Sequence, residues 1–199
     1  MNNVKNYTDS QLLERVEAVG GHITNPGKYL IIGVQSQEDA YNSFDDKFYV
    51  FDGNLFRQVS SGTTNCGSRA LKHFDNLGLT GAAVWLTDQF IEDCYVKGMH
   101  KASRPGGGMR ALRQNKPIKY FRDSNRNEKA EQIGPMQEGV IWANMHGVSY
   151  DPFSERVLNT IGGWSFACQV WNRMSDYRHM QRAVWNRNKP VNYCLLKEW

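Results

Sequence analysis

The segment Gly139-Val140-Ile141-Trp142-Ala143-Asn144-Met145-His146-Gly147 and the later turn Gly162-Gly163-Trp164-Ser165-Phe166-Ala167-Cys168-Gln169-Val170 decide how this chain is read. The first is apolar through Met145 and reads as a strand, residues 139–145, that delivers His146 to its end. The second is a glycine-rich turn with small Ala167 directly before Cys168. Beyond it, Trp171, Met174, Met180, Val184 and Trp185 fall at helical spacing within residues 170–187, so a helix is expected directly after Cys168. Backbone N–H groups at a helix N-terminus favour thiolate over thiol and can hold the oxyanion of a tetrahedral intermediate. The polar stretch 148–161 between the two parts is long enough to return the chain to a neighbouring strand.

On either side of this pair the periodicity is mostly that of strands. Residues 28–35 (KYLIIGVQ) read as a buried strand, and 47–51 and 54–59 flank Asp52-Gly53, a hairpin turn signal. Further strands are expected at 82–86, 90–96, 117–123 and 191–196. Residues 97–110 read as a basic, glycine-rich loop leading into a short helical stretch through Gln114. Near the amino terminus, Leu12, Leu13, Val16 and Val19 make one helical face that Gly20-Gly21 ends. The fold class is therefore mainly β, with a short N-terminal helix and one late helix, and without the alternation of a doubly wound sheet. Residues 1–26 are expected to form a helical extension and 27–199 a single domain.

Composition narrows the function classes. A chain of 199 residues with nine Tyr, nine Phe and six Trp can bury a core without disulfide staples, and flat rings suit pleated surfaces. The net charge of +4 lacks the focused basic patch of a nucleic-acid binder, so no nucleic-acid partner is expected. The amino terminus shows no signal peptide, and no stretch is long and apolar enough to span a bilayer, so the chain is expected to be made in the cytoplasm without a membrane partner. Cys66, Cys94, Cys168 and Cys194 are scattered, with no CxxC pair, so free thiols and no structural zinc are expected.

A nucleophilic cysteine needs a base, and His146 at a strand end is the leading candidate for Cys168. The bland reading makes Cys168 a small buried hydrophobe and His146 a hydrogen-bonded core residue, and it is the reading given to Cys66, Cys94 and Cys194. What separates this pair is a pattern. His146-Gly147 followed by Ser165-Phe166-Ala167-Cys168 resembles the active-site motif of the L,D-transpeptidase (YkuD-like) family, in a phage-type variant. In that family a histidine followed by a small residue precedes a Ser-His-Gly-Cys turn. The resemblance covers roughly residues 139–171, with Phe166 standing for the family's second histidine and Ala167 for its glycine.

The resemblance implies a YkuD-like β-sandwich or barrel and a cysteine acyl-transfer enzyme acting on peptidoglycan stem peptides. Cys168 would be the nucleophile and His146 its base, with Ser165 or the backbone after His146 orienting the imidazole. Gly147, Trp164, Phe166, Ala167 and His100 would serve substrate or oxyanion binding, with no metal and no cofactor. A monomer reaching the cell wall after lysis, release or delivery is expected. The competing reading is a non-enzymatic phage structural or binding protein on the same scaffold.

Other features carry weaker signals. Gly106-Gly107-Gly108 between Arg104 and Arg110 suits a flexible substrate loop or a solvated one, and it is not a P-loop. Asp123-Ser124-Asn125-Arg126-Asn127 imitates half a calcium loop, but Glu128 sits where glycine is required, so a tight turn is expected.

Overall fold

The computed structural model describes residues 4–199. Thr8 caps the first helix, α1 (Asp9–Ala18), through a capping box with Gln11, which satisfies two backbone donors at once. The chain then forms β1 (Tyr29–Gln35), β2 (Asp46–Asp52), β3 (Leu55–Thr63) and a short helix, α2 (Ser68–His73), that runs into a 3-10 turn (Phe74–Leu77). Next come β4 (Ala82–Trp85), β5 (Gln89–His100), β6 (Met109–Gln114), β7 (Ile118–Asp123), β8 (Gln137–Gly139) and β9 (Met145–His146). The carboxyl-terminal part holds β10 (Gln169–Trp171), α3 (Met174–Arg187) and β11 (Val191–Lys197).

Eight strands close into a barrel in the order β1-β11-β5-β6-β9-β10-β3-β2, and β4-β7-β8 form a separate three-stranded sheet. Closure leaves the barrel no free edge. Alternation along β1 explains its continuous apolar run. Tyr29 and Ile31 belong to the main core, while Leu30, Ile32 and Val34 pack with Leu12 and Val16 of α1. Both faces of β1 are covered, so a polar face is not required. The small sheet works the same way: Ala83, Trp85, Ile118 and Tyr120 join the main core, and Ala82 and Val84 pack with Ala70 and Leu71 of α2.

Three sequence expectations are corrected. Residues 97–110 are not one long loop, nor is the stretch to Gln114 helical. β5 extends to His100 and pairs with β6 from Tyr95↔Gln114 to His100↔Met109, leaving only residues 101–108 as the turn. Arg110 and Arg113 of β6 are exposed, while Met109, Ala111, Leu112 and Gln114 are buried. Six residues are too few for that pattern to separate a strand from a helix without its partner strand.

The segment 139–145 is not a strand. β8 ends at Gly139, β9 begins at Met145, and the residues between have no ladder. Trp142 sits at φ +61, a left-handed conformation costly for a bulky side chain. The ladder is replaced by the buried Gln114 side chain, whose Oε1 accepts from the N–H groups of Ile141 (3.0 Å) and Ala143 (2.9 Å). Its Nε2 donates to the carbonyls of Lys116 (2.9 Å) and Gly139 (3.1 Å).

Finally, no helix follows Cys168 directly. Gln169–Trp171 are β10, which pairs in parallel with β9 (Val170↔His146) and antiparallel with β3 (Val170↔Thr63); α3 starts only at Met174. Barrel closure claims those three residues, which shifts the helix away from the thiol. Elsewhere, Asp123 behaves as a turn residue, accepting from the N–H groups of Asn125 (2.9 Å) and Glu131 (3.0 Å). No helix among the described residues is long and apolar enough to cross a membrane.

Candidate active site

Three chain segments bring the site together. His100 ends β5, His146 ends β9, and Cys168 immediately precedes β10. The parallel pairing of β9 with β10 aligns Gln169 with Met145, and the Gln169 N–H donates to the Asn144 carbonyl at 3.0 Å. Cys168 is thereby laid against the irregular 140–144 segment, where its Sγ lies 3.9 Å from the Trp142 carbonyl oxygen. One ring nitrogen from each histidine and the Cys168 sulfur all lie within 4.8 Å of one another.

The hydrogen bonds fix the tautomers. His146 Nδ1 lies 2.8 Å from the Gly147 carbonyl oxygen, which can only accept, so Nδ1 carries the proton. Nε2 is then the basic nitrogen, and it is buried with no hydrogen-bond partner among the described residues. The His100 tautomer is set by Asn144. Its Oδ1 accepts from the Gln114 N–H (3.0 Å), so its amide nitrogen faces His100 Nδ1 at 3.2 Å as a donor. His100 Nδ1 is therefore the unprotonated nitrogen.

Burial sets the charge state. It pulls the His146 imidazole down to about 3, helped by neighbouring His100 and opposed by the Gly147 bond. His100 is drawn down to about 4, again mainly by burial and further by Lys101. The Cys168 thiol is pushed up to about 11 by burial, against smaller pulls from the Asn144 backbone N–H and the Lys101 charge. The resting site thus holds a neutral thiol beside neutral imidazoles. The thiolate expected from a helix N-terminus has no helix to stabilise it.

The other candidate residues divide. The Ser165 hydroxyl donates to the Cys168 carbonyl at 2.7 Å and closes the turn, so the group that orients the His146 ring is the Gly147 carbonyl. Gly147 has no room for a side chain, since a Cβ would lie 2.6 Å from Met174 Sδ and 2.9 Å from Tyr177 Cδ1. The Ala167 carbonyl accepts from Trp85 Nε1 at 2.8 Å, which pins the turn to β4. Phe166 points away from the thiol and packs with Cys66, Leu71 and Val84. Trp164 does reach the site: its ring centroid is 6.4 Å from His146 and 5.8 Å from Tyr150.

A surface cavity of about 260 Å³ reaches the cluster at His100 and is lined by His100, Lys101, Tyr150, Gly163 and Trp164; the buried His146 and Cys168 do not line it. Tyr150 is shared with a second cavity of about 330 Å³ that Met99, Arg110, Phe153, Arg178 and Arg182 also line. Arg104, from the glycine-rich turn, stacks on Tyr150 with its guanidinium 4.0 Å from the ring centroid. A larger cavity of about 450 Å³ beside Val19, Phe90, Lys119 and Glu138 has no cysteine or histidine in its wall. Sequence reasoning missed Asn144, Gln114 and Tyr150, because their roles depend on contacts between distant segments. Comparison with protein-family models, with curated proteins and with solved structures finds no match for this chain.

Proposed function

We propose that this protein is a cysteine acyl-transfer enzyme of L,D-transpeptidase type, acting on peptidoglycan stem peptides at its Cys168–His146 pair. The observation that carries the reading is the state of His146. Its Nδ1–H is committed to the Gly147 carbonyl, which leaves a buried, unpartnered Nε2 as proton acceptor in a cluster with the Cys168 sulfur. An unsatisfied buried polar atom is costly, and this one differs from the others in the fold, Tyr49, Tyr95 and Trp171 among them, in belonging to an imidazole clustered with a thiol. The left-handed Trp142, whose carbonyl faces the sulfur, belongs to the same pattern. On this reading the eight-stranded barrel is YkuD-like.

In the reaction, Cys168 Sγ attacks a peptide carbonyl as its proton passes to His146 Nε2. Backbone N–H groups beside Cys168, other than that of Gln169, which donates to the Asn144 carbonyl, would hold the oxyanion. The tetrahedral intermediate collapses with breakage of the C–N bond, and His146 returns the proton to the leaving amine. A thioester remains on Cys168, and water or the amine of a second stem peptide resolves it. The cavity bounded by Trp164, Tyr150, His100 and Lys101 would seat the peptide, and Arg110 and Arg182 would offer cations to its carboxylates, Arg178 being paired with Glu155.

The test is incubation of the purified protein with muropeptides, read by mass spectrometry. The wild type should shorten or join stem peptides, and Cys168→Ala should abolish this while keeping its near-UV circular dichroism. His146→Ala should slow turnover by about 10²–10⁴-fold. Identical product profiles for wild type and Cys168→Ala would overturn the reading.

A further inference from the structure

We infer that His100, His146 and Cys168 form a binding site for one thiophilic divalent cation of the zinc type, in which the bound ion masks the Cys168 sulfur. One ring nitrogen of each histidine and the cysteine sulfur sit within 4.8 Å of one another, with the two imidazole centroids 4.3 Å apart. Zinc takes nitrogen at about 2.0–2.1 Å and thiolate sulfur at about 2.3 Å. Tetrahedral angles then separate such ligand atoms by roughly 3.5 Å, so the cluster needs to contract by about 1 Å, within reach of side-chain rotations.

The ligand atoms are prepared as lone pairs. His146 Nε2 is buried, unprotonated and without a partner, with Nδ1–H held by the Gly147 carbonyl. That is the outer contact by which metal-bound histidines are usually oriented. On His100 the unprotonated nitrogen is Nδ1, whose one hydrogen bond among the described residues is a 3.2 Å contact from the Asn144 amide that a ring rotation would exchange for a metal. On binding, the metal–sulfur bond forms as the Cys168 S–H bond breaks, and the proton leaves to buffer with no change of oxidation state. Two nitrogens and one sulfur select zinc-like ions over magnesium or calcium, which require oxygen. Three protein ligands leave a fourth position for water from the cavity at Tyr150 and Trp164. Lys101 on the same wall opposes a cation, so the thiolate is an essential ligand rather than an optional one.

Metal binding does not require the acyl-transfer reading; only its consequence, a silenced nucleophile, rests on that reading. The test titrates the metal-free full chain with Co²⁺ alone and follows its absorption. A thiolate-to-cobalt charge-transfer band saturating at one ion per chain is expected, bleached by added Zn²⁺ and missing in Cys168→Ser. His100→Asn should weaken Co²⁺ binding at least about tenfold. Saturating Zn²⁺ should also protect Cys168 from iodoacetamide. No charge-transfer band up to millimolar Co²⁺, or a band that persists in Cys168→Ser, overturns the site; full alkylation under saturating Zn²⁺ overturns the masking. Muropeptide turnover by the metal-free protein judges the acyl-transfer reading alone, so the two ideas fail separately.

Discussion

Gln114→Ala should loosen the segment that holds Cys168, because one side chain supplies what a strand ladder would otherwise give residues 139–143. Its Oε1 accepts from Ile141 and Ala143, and its Nε2 donates to Lys116 and Gly139. Removing it orphans the Ala143 N–H, on a residue with no solvent exposure, and the Ile141 N–H, on a half-buried one. A buried donor left unpaired costs about 1–3 kcal/mol. Counting Ala143 in full and Ile141 in part, and leaving the Lys116 and Gly139 carbonyls to water, the loss is about 2–4 kcal/mol. Urea unfolding reads this directly: with a slope of about 2–3 kcal/mol per molar, the midpoint should fall by roughly 1 M at unchanged slope. A second readout is local. With residues 140–144 untethered, the Trp142 carbonyl and the Asn144 N–H no longer hold the sulfur, and iodoacetamide should alkylate Cys168 faster than in the wild type. A loss below about 1 kcal/mol together with an unchanged alkylation rate would refute the claim that Gln114 organises this segment.

Two further predictions concern pH. Asp46 is fully buried, and burial followed by the neighbouring Asp45 charge raises its carboxyl to about 7, against the hydrogen bonds it accepts from the Ser36 and Thr64 N–H groups and the Thr64 hydroxyl. Because the folded value lies above the unfolded one, the stabilisation is complete below about pH 4 and is lost as pH rises through about 7. The melting temperature of Asp46→Asn should therefore fall less between pH 4 and 8 than that of the wild type, and parallel curves would contradict this. For Cys168, with its thiol raised to about 11, alkylation should climb steadily past pH 9. A rate already level near neutral pH would instead reveal a preformed thiolate.

How much of this was legible in the sequence depends on where each residue finds its partner. The α1 stripe and the β1 run declare themselves because their periodicity is local, and Asp52-Gly53 marks its hairpin within four residues of β2 and β3. The segment 139–145 misleads because an apolar run looks like a strand, whereas its hydrogen bonds go to Gln114 on another strand. Gln169–Trp171 likewise continue a helical spacing, yet barrel closure with His146 and Thr63 makes them a strand. His146 and Cys168 could be paired from their motif. The tautomer that leaves His146 Nε2 unprotonated could not, because it depends on which atom meets the Gly147 carbonyl.

On the acyl-transfer reading, the loss of the helix behind Cys168 changes how the site would work rather than removing its chemistry. A helix N-terminus would have stored a thiolate in the resting protein, at the expense of a reactive sulfur exposed to any electrophile. Burial does the opposite here. It holds Cys168 as a thiol and His146 as a neutral imidazole, so on the acyl-transfer reading the proton would move only when an attack is under way. A neutral thiol of this kind reacts slowly, though measurably, with alkylating agents near neutral pH. The same neutrality favours a metal ion, since the two imidazole lone pairs carry no proton that must first be removed. If both proposals hold, substrate and cation would compete for Cys168 and His146, and either could give the orphaned Nε2 of His146 a partner.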